Sequence, residues 1–389
     1  MDGERVGFLI DHRDRADVVA RIREGDPQLR DAVRTLIELA DSTIEEKPVR
    51  PIPEGKTRFA PSGDPQDYVS LSPYWWPNPD DPDGPYFRRD GEVNPERYEY
   101  DTPKLSDVGY AIRVLGFAYF ITGDERYAEH GAAHARAWFV DPDTRMNPHL
   151  RYAQFVPGVA DGRPVGIIDT NRLRWTPDAI LLFRGSPHWS EEDHKATQQW
   201  FSEFVDWLLT SDLGQKERAA RNNHGTWYAA QVALYSLFAG RDDVAKEMCE
   251  SLKERIAWQI EPDGTQPHEL TRTQALHYCD FNLRGMMDLA SYGKHVGVDL
   301  ITYETEDGRS IRQALDWVSP YLTGEIEWPY QQIKPRKYGM YYQTLRRAAR
   351  MYDEPEFERM LDELPAPPDD LCWIDLVLPA HHHDVRGER

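Results

Sequence analysis

The chain of 389 residues carries 46 Lys and Arg against 67 Asp and Glu, a formal net charge of −21, and 40% of it is apolar. That apolar share supports a sizeable core and excludes general disorder, while the acidity argues against nucleic acid or an anionic membrane as partner. No 18-residue apolar run is present to span a bilayer.

The opening residues, Met1-Asp2-Gly3-Glu4-Arg5, lack the basic-then-apolar order of a secretory signal. They predict a cytoplasmic protein, or a periplasmic or secreted one if a leader has been removed. Cys249, Cys279 and Cys372 are too few and too scattered for a disulfide framework or a zinc ribbon, and read as free thiols. Of 45 aromatic residues, 32 are Trp or Tyr. Their apolar faces and polar handles suit a groove that stacks on sugar rings.

Helical periodicity dominates the chain. Leu29, Val33, Leu36, Ile37 and Leu39 form one apolar stripe, and Leu105, Val108, Ile112, Leu115 and Tyr119 another, at spacings of three and four. The second helix begins after Pro103 and stops near Gly123-Asp124, where a companion runs to Trp138. Further helices are expected over 191–210, 224–239, 242–259, 272–292, 309–320, 337–351 and 355–363. Short turns such as Ala239-Gly240-Arg241-Asp242 join them into antiparallel pairs, a helical-hairpin array without a strict repeat.

Two stretches break this pattern, 49–102 and 141–172, both dense in Pro, Gly and aromatics. Loops of such length inside a compact domain act as lids or binding loops. The chain is expected to be a single domain over 1–389, with a catalytic core at 50–365 and a tail at 366–389. The tail ends in polar residues that include the His381-His382-His383 run.

Four segments carry candidate chemistry. Arg221-Asn222-Asn223-His224-Gly225 opens an apolar helix. One Asn would cap it. The helix dipole would keep His224 neutral, and free amide donors there would favour an anion such as a substrate carboxylate. Gln266-Pro267-His268-Glu269-Leu270-Thr271-Arg272 precedes His277-Tyr278. Arg272 could clamp a carboxylate and Tyr278 transfer a proton. A spacing of six puts helical residues on different faces, so Arg272 must sit in the turn before the helix, or the helix must be distorted, for both to reach one ligand. The third segment, Tyr68 to Pro95, mixes Tyr74, Trp75 and Trp76 with Arg88 and Arg89. The fourth runs from Arg145 through Gln154 to Asp169. Against the acidic body, Arg88, Arg89, Arg172, Arg272, Lys334, Arg336 and Lys337 are available to line a positive groove.

Taken together, YVSLSPYWWPNP, RRDGEVNPE, TRMNPHLRYAQFVPG with GIID, and NNHGTWY resemble the alginate-lyase domain of bacterial uronate lyases. The resemblance covers about residues 50–350. It is nearer to polysaccharide lyase family 38, in its His-to-Arg-to-Tyr spacing, than to family 5. It implies a mainly α fold, an (α/α) toroid or incomplete helical-hairpin barrel with long lid loops, whose concave face holds a uronic-acid polymer. It also implies that Asn223, His224 and Arg272 surround the substrate carboxylate and that Tyr278 is base and acid. The lid around Tyr74, Trp75 and Trp76 would close over the sugar. The expected substrate-binding set is Tyr74, Trp75, Trp76, Arg88, Gln154, Arg172, Asn222, His277, Tyr338 and Tyr342.

The expected reaction is β-elimination on alginate, mannuronate blocks first, with glucuronan close behind. The partner is therefore an anionic polysaccharide, and no cofactor or metal is required. A helical-toroid glycoside hydrolase would instead need two carboxylates about 5–10 Å apart, with Asp107, Asp169 and Glu269 as possible donors. A non-catalytic sugar-binding protein would leave the Asn-Asn-His and Arg–Tyr features unused, and a zinc site at His130 and His134 lacks the Glu of HExxH and a nearby third ligand.

Overall fold

A computed structural model of the protein describes residues 7–10, 12–81 and 84–379. The His381-His382-His383 run lies outside the described residues. Helices α1 (His12–Glu24) and α2 (Pro27–Glu46) come first, the former outside the expected pattern. The first long loop follows and contains three short strands, β1 (Val69–Leu71), β2 (Trp75–Trp76) and β3 (Phe87–Arg88).

Helix α3 (Thr102–Thr122) starts with Pro103 in its first turn, where the missing N–H costs nothing. It stops at Gly123, whose φ of 72° lets the chain leave in the left-handed conformation. The Asp124 side chain then accepts the Arg126 N–H at 3.0 Å and caps α4 (Glu125–Ala135), which continues into a π-helical turn over Arg136–Val140.

The second loop holds β4 (Tyr152–Phe155) and a 3₁₀ stretch over Pro164–Leu173. Strand β1 pairs in parallel with β4, and β2 pairs antiparallel with β3. A parallel pair needs a crossover, and α3 with α4 supplies it. The two irregular stretches are thereby joined on one side of the helices. Two indoles hold them there, Trp138 donating to the Arg50 carbonyl at 2.9 Å and Trp200 to the Met146 carbonyl at 2.6 Å. The first loop is further anchored by a buried ion pair, Lys56 to Asp101 at 2.7 Å.

The remaining helices are α5 (Thr176–Leu182), α6 (Glu191–Thr210), α7 (Asp212–Arg218), α8 (Asn223–Phe238), α9 (Asp242–Gln259), α10 (Pro267–Leu270), α11 (Ala275–His295), α12 (Ile311–Thr323), α13 (Tyr342–Tyr352), α14 (Pro355–Glu363) and α15 (Ile374–Val377). Pairs α3–α4, α8–α9 and α13–α14 pack as hairpins, and α11 packs against α8 and α9. Every residue of α8 except His224 is buried. A helix apolar on all sides belongs inside, so α8 forms part of an inner layer with α3 and α11. The architecture is an (α/α) toroid, as the sequence predicted.

One continuous core runs from Phe8 to Leu378, and so draws in residues outside the expected 50–365 segment. Leu371, Trp373, Ile374, Leu376 and Val377 of the tail are buried in it. Near the other end, the backbone N–H groups of Phe8, Leu9 and Ile10 converge on one carboxylate oxygen of Asp178, at 2.7, 3.1 and 3.4 Å. Among the described residues, no helix is long and apolar enough to cross a membrane.

Candidate active site

A cleft of about 890 Å³ opens where the joined loops meet the starts of α8 and α11. Its lining includes Tyr74, Trp75, Arg88, Gln154, Arg172, Asn222, Asn223, His224, Arg272, His277 and Tyr278, most of the residues expected from sequence. Arg97, Arg163 and Arg221 line it too and were missed. Among the described residues, the only acid along this lining is Asp169. A positive groove in a chain of charge −21 is thus present, built chiefly from arginines of the two loops rather than from Lys334, Arg336 and Lys337.

Asn222 is the N-cap of α8, its side chain accepting the His224 N–H at 3.2 Å. Asn223 is fully buried and gives both its backbone N–H and its Nδ2 to the carboxylate of Glu269, each at 2.7 Å. The free amide donors expected at this helix start are therefore taken by Asn222 and Glu269, and the helix end itself is not an open anion site. Gly225 is required by contact: a Cβ there would lie 2.0 Å from the Ala220 carbonyl oxygen.

His224 Nδ1 lies 2.6 Å from Oε1 of Glu217, which is 2% exposed. A carboxylate only accepts, so Nδ1 donates and Nε2 is left for the cleft. Glu217 thereby fixes the direction of the ring, a contact absent from the sequence reading.

Arg272 sits in the turn between α10 and α11, ahead of the helix that carries Tyr278. This resolves the spacing of six: the guanidinium lies over the Tyr278 ring, 3.7 Å from its centroid. Its Nε and Nη2 edge is held by Asp90, at 3.3 and 3.0 Å. Asp90 also accepts from Thr273 at 3.1 Å and from Arg88 at 2.7 Å. Gly91 beside it packs so closely on Thr273 that a Cβ would come within 2.6 Å of its hydroxyl. Burial works against the Arg272 charge, but Tyr278 and Asp90 outweigh it and hold the guanidinium above its ordinary value.

Tyr278 is 7% exposed, and its hydroxyl lies 2.9 Å from that of Tyr74. Burial pushes the phenol well up, Tyr74 adds to this, and Arg272 offsets only part of it. Proximity to Arg272 therefore does not bring the free phenol towards neutrality. His277 stacks on Phe281 and is held below its ordinary value by burial and by Arg284.

On the opposite wall, Gln154 takes a left-handed φ of 49°, uncommon for a side chain of its size. Its N–H donates to the Ser70 hydroxyl and its Nε2 to Asp169, which also receives Tyr68 and Ser70. Arg172 is braced by Ser106 and by the Asp169 carbonyl. Arg163 stacks over Trp75 and donates to Ser72.

Three expected binding residues lie elsewhere. Trp76 alternates with Trp75 along β2, faces away from the cleft, and donates to the Glu92 carbonyl. Tyr342 is buried against Asp375, which accepts its hydroxyl at 2.9 Å. Tyr338 packs beneath Arg336 and beside Gly324, outside the cleft lining. His130 and His134 gather no third ligand: among the described residues no three His, Cys, Asp or Glu side chains converge on a metal position.

A family model described as alginate lyase matches residues 53–328. The chain belongs to the alginate lyase family. As a member it is a polysaccharide lyase. An alginate lyase from Bacteroides ovatus is 37% identical, with a TM-score of 0.90, over 96% of this chain and 98% of that one. Alginate lyase A1-III variant bound to a tetrasaccharide is 16% identical, with a TM-score of 0.61, over 96% and 95% of the two chains. The A1-III enzyme from Sphingomonas species A1 is 14% identical, with a TM-score of 0.57, over 88% and 94%. These last two share the fold. No curated protein matches by sequence.

Proposed function

We propose that this lyase cleaves a uronic-acid polymer by β-elimination, with the mannuronate blocks of alginate as first substrate and glucuronan as second. The observation that carries the reading is the Asn223, His224, Arg272 and Tyr278 group, gathered on one arginine-lined cleft. Removing the proton at C5 turns the sugar carboxylate towards an enolate dianion, and the remaining Asn223 amide hydrogen, His224 and Arg272 offset that charge as it develops. Tyr278 passes the proton from C5 to the leaving O4 on the same face. As a phenolate it would be stabilised by Arg272 against its ring, while the Tyr74 hydroxyl holds the group in place.

The raised phenol favours a second, divided version in which Tyr278 acts only as acid. His224 then takes the C5 proton through Nε2, with Glu217 holding the ring. Exchange of the C5 proton with heavy water separates the two. Tyr278→Phe should stop that exchange if Tyr278 is the base and leave it intact if His224 is.

The glycoside hydrolase alternative loses support. Asp107 pairs with Lys47 at 2.6 Å, Glu269 is occupied by Asn223, and Asp169 by Tyr68, Ser70 and Gln154 with Arg172 at 3.9 Å. Incubation with polymannuronate, polyguluronate and glucuronan, followed by ultraviolet absorbance, tests the proposal. Growth of conjugated-uronate absorbance on at least one polymer is expected, and saturated products alone would overturn it.

A further inference from the structure

We propose that Glu269 is a positioning residue whose carboxylate fixes which face of the Asn223 amide meets the substrate. The inference rests on the lyase reading above. Glu269 is 1% exposed, and both its oxygens are engaged by Asn223, one by the backbone N–H and one by Nδ2. Because a carboxylate can only accept, Nδ2 must point towards it. Asn223 Oδ1 is then left buried without a hydrogen-bond partner, an arrangement a protein keeps only when something else demands it. What it secures is the second Nδ2 hydrogen, presented in a fixed direction beside His224. Glu269 also accepts the Arg272 N–H on its carbonyl at 3.1 Å. One residue thus ties together two parts of the carboxylate pocket, one on α8 and one in the turn before α11.

A purely structural role, closing the start of α8, would be met by any acceptor. Glutamine separates the roles. Its Oε1 can still take the Asn223 backbone N–H, but its amide group donates to Asn223 Oδ1 and turns that side chain around.

The experiment measures kcat, KM and Tm for wild type, E269Q, N223A and the double variant, with polymannuronate as substrate and ultraviolet absorbance as readout. E269Q is expected to lower kcat roughly tenfold to a hundredfold, with KM and Tm close to wild type. In the N223A background the same change should cost no more than about twofold, because both act through one amide. E269D, which keeps the acceptor but shifts it, should fall between wild type and E269Q and serves if E269Q folds poorly. Wild-type kcat in E269Q, or losses that multiply in the double variant, would overturn the positioning role while leaving the lyase reading intact. A wild type that forms no unsaturated product on polymannuronate, polyguluronate or glucuronan would overturn the lyase reading, and this inference with it.

Discussion

The hydroxyl of Tyr74, just before β2, lies 2.9 Å from that of Tyr278, on the first turn of α11. A residue of the first long loop thereby reaches the group assigned to proton transfer, across 204 positions of sequence. Tyr74 holds the Tyr278 hydroxyl in place, so Tyr74→Phe should lower kcat by about tenfold through lost alignment. Tyr278→Phe should lower it by roughly a hundredfold to ten-thousandfold, the usual range for a lost acid–base group. Calorimetric titration with mannuronate oligomers should show both variants still binding. A Tyr278→Phe enzyme of near wild-type rate would transfer proton carriage to His224.

Asp90 occupies the edge of Arg272 that would otherwise fork a carboxylate. Its carboxyl is held below the usual range because Arg272 and Arg88 outweigh the cost of its burial. Asp90→Ala should therefore have opposite effects on binding and turnover. Steady-state kinetics should show KM falling several-fold, as a freed guanidinium grips the polymer. They should also show kcat falling about tenfold, as Arg272 loses its alignment over Tyr278. A parallel rise in KM would mean that Asp90 serves substrate binding directly.

Charge makes a prediction of its own. A body of −21 repels a polyanion at long range, while the arginine-lined cleft attracts it at contact. Between about 10 and 100 mM salt the screening length shrinks from roughly 30 to 10 Å, which removes the repulsion first. On polymer, kcat/KM should rise over that interval and decline at higher salt. Arg163→Ala and Arg172→Ala should flatten the decline.

Stability should carry a histidine signature in acid. His134 is buried, and burial together with His130 lowers its pKa to about 4, against an ordinary value near 6.5. The unfolded chain then binds the extra proton first. The stabilising contribution is whole above about pH 6.5 and is lost as pH falls through about 4, worth roughly 3 kcal/mol. Thermal melts of wild type and His134→Gln should show the variant losing less Tm across that window.

What could be read from the sequence follows the range of the interactions. Helices 191–210, 242–259 and 355–363 appear at their expected bounds, because caps and apolar spacing are local signals. The helix expected from 272 starts instead at Ala275, and that short delay frees Arg272 to fold back over Tyr278. The carboxylates that organise the site left no such trace. Glu217 meets His224 across 7 positions, Glu269 meets Asn223 across 46, and Asp90 meets Arg272 across 182. Asp90 stands inside RRDGE, flanked by arginines that are the local candidates for holding an anion. Tyr342 is turned inward by Asp375, 33 positions on in the segment expected as tail.

Asp178 sets a practical boundary on dissecting the enzyme. Excising the segment 53–328 would remove Phe8, Leu9 and Ile10, and with them the three donors to one oxygen of a wholly sequestered acid. It would also strip Trp373 from its seat between Phe117 and Trp175. A minimal fragment designed from the recognisable motifs alone should emerge insoluble, however faithfully it preserves every group that touches sugar.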